Sequence, residues 1–177
     1  KKVLLIGTDL RAPKLQEYLN LRPEYGVTNY ITNPNLELED LMVDLPGYKD
    51  MKIIVSGPIP PNPSELLASH RVKELFDAAK PLFDIIIVDT APIGLVADTL
   101  LLTEYADLFL YVVRNRHLDR RMLQIPEKLF RERRVQKMGI LLNDVDQRRD
   151  LGYGYGYGYG YGVEIHRPWW KKLLRIS

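Results

Sequence analysis

The chain has no cysteine. That excludes a disulfide framework, a thiolate metal site and a cysteine nucleophile, and it accords with a reducing compartment. Long apolar runs are missing too: no stretch reaches the roughly eighteen residues that a membrane-spanning helix needs. Charge of one sign is not in excess. The formal net charge of +2 is too small to argue for nucleic acid, and the aromatics are not interleaved with a basic stripe, so no nucleic-acid partner is expected. His70, His117 and His166 lie far apart and show no metal-ligand spacing. No Gly-x-Ser-x-Gly elbow and no Ser/His/Asp order is present, which removes hydrolase readings. The chain has neither an initiator Met nor a signal peptide and opens inside a strand-like run, "KKVLLIG", so it is expected to be the C-terminal part of something longer.

What is present is enough for one ordinary domain: 177 residues, 46% of them hydrophobic. Five short apolar runs, at 3–6, 53–55, 85–88, 108–113 and 139–142, are continuous rather than alternating, as in strands buried on both faces of a parallel sheet. Helical patterns lie between them, at 13–21, 63–82, 98–105 and 118–135. The last is interrupted by Pro126, and Asp98 is well placed as an N-cap. Strand alternating with helix predicts an α/β, doubly wound, mostly parallel sheet with helices on both faces over residues 1–146. Residues 147–177 form a low-complexity tail. In "GYGYGYGYGYG" glycine stands at every second position, and its entropy cost on ordering argues for flexibility. The ending "HRPWWKKLLRIS", with Trp169 and Trp170 among cations, suits a membrane surface or a docking contact equally well.

Ligands of such a sheet bind beyond the carboxyl ends of its strands. Asp9 and Arg11 follow the first apolar run, Asp89 follows the third, and Asn143 follows the last. A carboxylate there can hold Mg²⁺ beside a nucleotide's phosphates, and a side-chain amide can match an adenine edge. Plainer roles stay open: a helix cap for Asp9, a turn for Asp89 with Thr90 and Pro92, a turn for Asn143. Arg114 and Arg116 follow a strand end and suit nucleotide, a neighbouring subunit or solvent. Asn62 and Glu65 suit a turn and a helix start.

In combination, "VLLIGTDLRAPKL", "IIVSGPIPPNPSELLAS", "FDIIIVDTAP", "DLFLYVVRNRHLDR", "MGILLNDVD" and the tyrosine cluster resemble the cytoplasmic kinase domain of bacterial tyrosine kinases. That family belongs to the deviant-Walker P-loop ATPases and works in capsule and exopolysaccharide export. The resemblance covers nearly all of residues 1–162. It implies ATP and Mg²⁺ as cofactors, Asp89 and Asp9 as metal ligands and catalytic acids with Arg11, and Asn143 and Arg114 at the nucleotide. It also implies phosphorylation of Tyr153, Tyr155, Tyr157, Tyr159 and Tyr161 in trans. The implied partners are a ring of identical subunits, a membrane-embedded chain-length regulator and a tyrosine phosphatase, at the cytoplasmic face of the bacterial inner membrane.

Two departures from the family pattern stand out. The glycine-rich Walker A loop is absent from these residues, along with its strand, so the chain as given is expected to bind ATP poorly and to be inactive alone. Gly7 also stands where the first acid of the Asp-x-Asp pair belongs. Two further readings therefore stay open: a partition- or septum-type ATPase switch, and a kinase-like scaffold without catalysis.

Overall fold

The computed structural model describes residues 1–115, 117–135 and 137–145. Lys1–Asn143 forms one compact unit. The tyrosines of the tail, Trp169, Trp170, His166 and Arg116 lie outside the described residues.

All five predicted apolar runs are strands. In chain order the described strands are β1 (Val3–Gly7), β2 (Val43–Leu45), β3 (Tyr48–Ile54), β4 (Ile85–Asp89), β5 (Phe109–Arg114) and β6 (Met138–Asn143). β1 pairs in parallel with β3 on one side and β4 on the other, and β5 pairs in parallel with β6. β2 is antiparallel to β3, in a hairpin turned by Gly47 at φ 86°, a left-handed conformation suited to glycine. The chain thus builds the expected mostly parallel α/β fold, with its described strands paired as two sheets, β2-β3-β1-β4 and β5-β6.

The helices are α1 (Leu15–Tyr18), α2 (Val27–Thr32), α3 (Leu38–Leu41), α4 (Pro63–Leu67), α5 (His70–Ala79) and α6 (Gln124–Arg131). Leu4 and Ile6 of β1 and Ile54 of β3 pack with Val27 and Tyr30 of α2, Leu38 and Leu41 of α3, and Val72, Leu75 and Phe76 of α5. On β4 the side chains alternate, as the pleat requires: Ile86 and Val88 join this core, and Ile85 and Ile87 are exposed on the other face. β5 alternates likewise, with Tyr111 and Val113 buried and Leu110 and Val112 exposed.

The predicted helix over 63–82 is two helices. Ser69 adopts an extended conformation and caps α5, its Oγ accepting the Arg71 N–H at 3.3 Å, which breaks the run between Leu67 and His70. The break has a use. The Arg71 guanidinium lies 3.9 Å over the Tyr30 ring and donates to the carbonyl of Tyr30 (3.3 Å), in the last turn of α2, and to that of Leu36 (3.1 Å), in the loop before α3. Pro126 does not interrupt α6. It falls in the first turn, where a missing N–H costs no bond, after a 3₁₀ turn at Arg120–Leu123. The predicted helix at Asp98–Tyr105 is 3₁₀, and Asp98 is its first residue rather than its cap.

Candidate functional site

Parallel pairing sets the carboxyl ends of β1 and β4 side by side. Gly7 stands opposite Asp89, and Thr8 donates both its N–H (2.7 Å) and its Oγ1 hydroxyl (2.8 Å) to the Asp89 carbonyl. Asp9 follows directly. Burial among the strand ends, and then the charge of Asp9, raise the Asp89 carboxyl above its ordinary value. Asp9 Oδ1 accepts the N–H groups of Arg11 and Ala12, each at 3.0 Å. This is an Asx-type turn. The plainer role is therefore real, although Asp9 caps its own loop and not a helix, because α1 begins only at Leu15.

The Arg11 side chain bonds to other partners. Its Nε donates to Asp98 Oδ2 (2.5 Å), and its Nη2 donates to Asp98 Oδ1 (3.2 Å) and to Ser64 Oγ (3.1 Å). The Ser64 hydroxyl donates in turn to Asp98 Oδ1 at 2.7 Å. The bond from Arg11, aided by Ser64, holds the buried Asp98 carboxyl below its ordinary value, against the opposing effect of burial. The Asp98 carboxylate therefore stabilises the fold at neutral pH, and that contribution is lost as pH falls through its lowered pKa. Asp98 and Ser64 were not among the sequence-predicted site residues. No local sequence signal links them to Arg11, 87 and 53 residues away.

The position that lacks the expected acid is tightly packed. A Cβ on Gly7 would lie 2.9 Å from the Oγ of buried Ser56 and 3.2 Å from Leu15 Cδ2. Gly7→Ala is accordingly expected to cost about 1–3 kcal/mol by overpacking. Most of that loss should return in the double variant with Ser56→Ala, read as a thermodynamic cycle by chemical denaturation. Additive losses would show that Ser56 is not what fills the space.

The second group of predicted residues comes together elsewhere. Arg114 and Asn143 end β5 and β6 directly opposite one another, and the Asn115 N–H donates to the Asn143 carbonyl at 2.9 Å. Asn62 and Glu65 bond to each other at 2.6 Å across the start of α4, a local structural role. Neither Asp9 nor Asp89 lines the two cavities, of about 680 and 370 Å³, whose lining residues include Phe130, Arg133 and Val135. Among the described residues no three His, Cys, Asp or Glu groups gather as metal ligands. Two neighbouring carboxylates still suit Mg²⁺, which takes one or two protein carboxylates and completes its shell with phosphates and water. No helix among the described residues is long and apolar enough to cross a membrane.

The fold itself is shared with P-loop ATPases. A ParA-family ATPase from Chlorobium tepidum TLS superposes with a TM-score of 0.62 at 20% identity, covering 83% of this chain and 63% of that one. The kinase domain of the Escherichia coli tyrosine kinase ETK superposes better, with a TM-score of 0.75 at 29% identity, covering 90% of this chain and 60% of that one. In sequence, the tyrosine-protein kinase ptk of Acinetobacter johnsonii is 36% identical over 155 residues, 86% of this chain and 20% of that protein. The tyrosine-protein kinase YwqD of Bacillus subtilis (strain 168) is 33% identical over 143 residues, 81% of this chain and 60% of that protein. No protein-family model matches the chain. The curated homologues are bacterial tyrosine-protein kinases, and the fold is that of their kinase domains. The chain spans between a fifth and about three fifths of the length of these relatives.

Proposed function

We propose that this chain is the C-terminal part of an ATP-dependent protein-tyrosine kinase that phosphorylates the tyrosines of its own tail and regulates capsule or exopolysaccharide synthesis and export, its phosphate-binding Walker A loop lying outside these residues. The observation that carries the reading is the pair Asp9 and Asp89 at the ends of adjacent parallel strands, on a chain homologous to tyrosine kinases. Asp89 and Asp9 would hold Mg²⁺, which neutralises developing charge on the transferring phosphoryl group. Thr8 fixes the backbone of Asp89, and the turn amides hold the Asp9 carboxylate itself. One of the two acids accepts the proton of the tyrosine hydroxyl. The phenol oxygen bonds to the γ-phosphorus as the bond from phosphorus to the ADP oxygen breaks. Asn143, through its side-chain amide, and Arg114 suit the nucleotide. Gly7 leaves the site one acid short of its relatives' pattern, which lowers the expected rate.

Glycines at alternate positions let any of Tyr153, Tyr155, Tyr157, Tyr159 and Tyr161 reach a neighbour's site. Each phosphate adds nearly two negative charges. A fully modified tail repels itself and leaves the neighbouring subunit, which makes phosphorylation a release switch for a ring of identical chains. A membrane-embedded chain-length regulator and a tyrosine phosphatase complete the cycle at the cytoplasmic face of the inner membrane.

The test mixes two forms of the complete protein with Mg²⁺ and ATP. One carries Asp89→Asn and an intact tail; the other is unchanged at Asp89 but has phenylalanine at all five tail tyrosines. Phosphotyrosine on the first form is the expected result and establishes transfer between chains. Phosphotyrosine in wild type but not in the mixture would restrict transfer to a chain's own tail.

A further inference from the structure

The loop that carries Asp9 is anchored from a distance. Arg11 meets Asp98 with two nitrogens on two oxygens, and Ser64 bonds to both partners. Such two-point pairing fixes direction as well as distance. The burial is asymmetric: the Arg11 side chain is 42% exposed and that of Asp98 only 6%. An accessible arginine could swing into water at little cost, but a buried carboxylate cannot be left without its partner. Asp98 therefore keeps Arg11 in place. The Arg11 backbone N–H is in turn one of the two donors that hold Asp9 Oδ1. The contacts run in one line, from the 3₁₀ helix to the guanidinium, along Arg11 to its N–H, and on to the Asp9 carboxylate. Ser64 adds the start of α4 to the same knot.

We infer that Asp98, with Ser64 as its second contact, is a positioning residue that sets the Asp9 carboxylate by anchoring Arg11. The consequence for Asp9 rests on the kinase reading; the anchor does not. Arg11 then serves as a tether, and its charge answers Asp98 instead of a phosphate.

The experiment compares wild type, Asp98→Asn, Ser64→Ala, Arg11→Met and the Arg11→Met/Asp98→Asn double variant in the complete protein. Two quantities are read. Amide hydrogen exchange at residues 10–12 is expected to quicken about tenfold or more in Asp98→Asn, because a bond between charged groups is lost, with the amides of α5 unchanged. The Mg²⁺ concentration giving half-maximal tail phosphorylation is expected to rise several-fold in each single variant, and the double variant is expected to be no worse than Arg11→Met alone. A loss of fold that quickens exchange in α5 equally would make Asp98 merely structural and overturn the inference. Unchanged exchange at residues 10–12 would do the same. Ser64→Ala, which leaves no buried charge unpaired, carries the same comparison if Asp98→Asn fails to fold. A wild type without kinase activity would sink the kinase reading, and exchange would still decide the anchor.

Discussion

Asp89→Asn is expected to reduce tail phosphorylation by about 10³-fold or more, the scale of losing a preorganised charge or proton acceptor in phosphoryl transfer. The same variant is expected to make the unliganded fold slightly more stable. Asp89 is held among strand ends next to Asp9, which raises its proton affinity above that of an unfolded chain. The folded state then binds the proton more tightly, so the ionised carboxylate weakens the fold. That cost is complete above the raised pKa and vanishes as pH falls below the ordinary carboxylate range. An amide has no charge to lose. The stabilisation stays below about 1 kcal/mol because water screens an accessible carboxylate, which is at most about 2–4 °C in melting temperature for a chain of this size. Melting curves at several pH values check it: the gain should be largest at neutral pH and fade in acid. A variant destabilised at neutral pH, or a gain independent of pH, would contradict the assignment.

Gly26→Ala is expected to cost about 3 kcal/mol or more, at or beyond the upper end of overpacking losses. A Cβ at Gly26 would lie 2.4 Å from the Gly57 nitrogen, 2.6 Å from the Val55 carbonyl oxygen and 2.7 Å from Gly57 Cα. All three are backbone atoms, so no side-chain rotation relieves the clash. The approach is close for a reason. The first amides of α2 lack helical partners, and those of Val27 and Thr28 donate to the carbonyls of Val55 and Ser56, each at 2.9 Å, just past the end of β3. An alanine has to push α2 away from the strand end and break those bonds. It would also disturb Gly57, held at φ 83°, and with it the segment leading to Ser64. Denaturant unfolding decides the matter, and a change under about 0.5 kcal/mol, the range of ordinary surface substitutions, would show that the contact is not needed.

The strands of the parallel sheets were readable from continuous branched and apolar runs such as "VLLIG" and "DIIIVD", but the expectation of burial on both faces fails for β4 and β5, where Ile85, Ile87, Leu110 and Val112 are exposed. The stretch from 22 to 47 was not. α2 and α3 have six and four residues, too few to show a helical period, and Pro23, Pro34 and Pro46 punctuate them. β3 begins five residues before its apolar part because the hairpin with short β2 extends it to Tyr48, which pairs with Leu45. The two acids could be read for a simple reason: each follows its strand immediately, and the topology of a parallel sheet puts such ends together. The tether on Arg11 could not. Asp98 lies 87 residues from Arg11 and Ser64 lies 53, and no local pattern links them. Asp98 looked like a helix cap because capping acids and buried ion-pair acids occupy the same sequence context, at the start of an apolar helical run. Gly7 was visible as a missing acid, but the filling of its place by Ser56 depends on the pairing of β1 with β3.

The central claim is that Asp89 drives phosphoryl transfer to the tail tyrosines, and phosphosite mapping by mass spectrometry tests it most directly. The complete protein, wild type and Asp89→Asn, is incubated with Mg²⁺ and ATP and digested. Phosphate on Tyr153, Tyr155, Tyr157, Tyr159 or Tyr161 in the wild type and its loss in Asp89→Asn is the expected result. A tail unmodified in both, or modified equally in both, would contradict the claim and favour a nucleotide switch or a scaffold phosphorylated by another kinase.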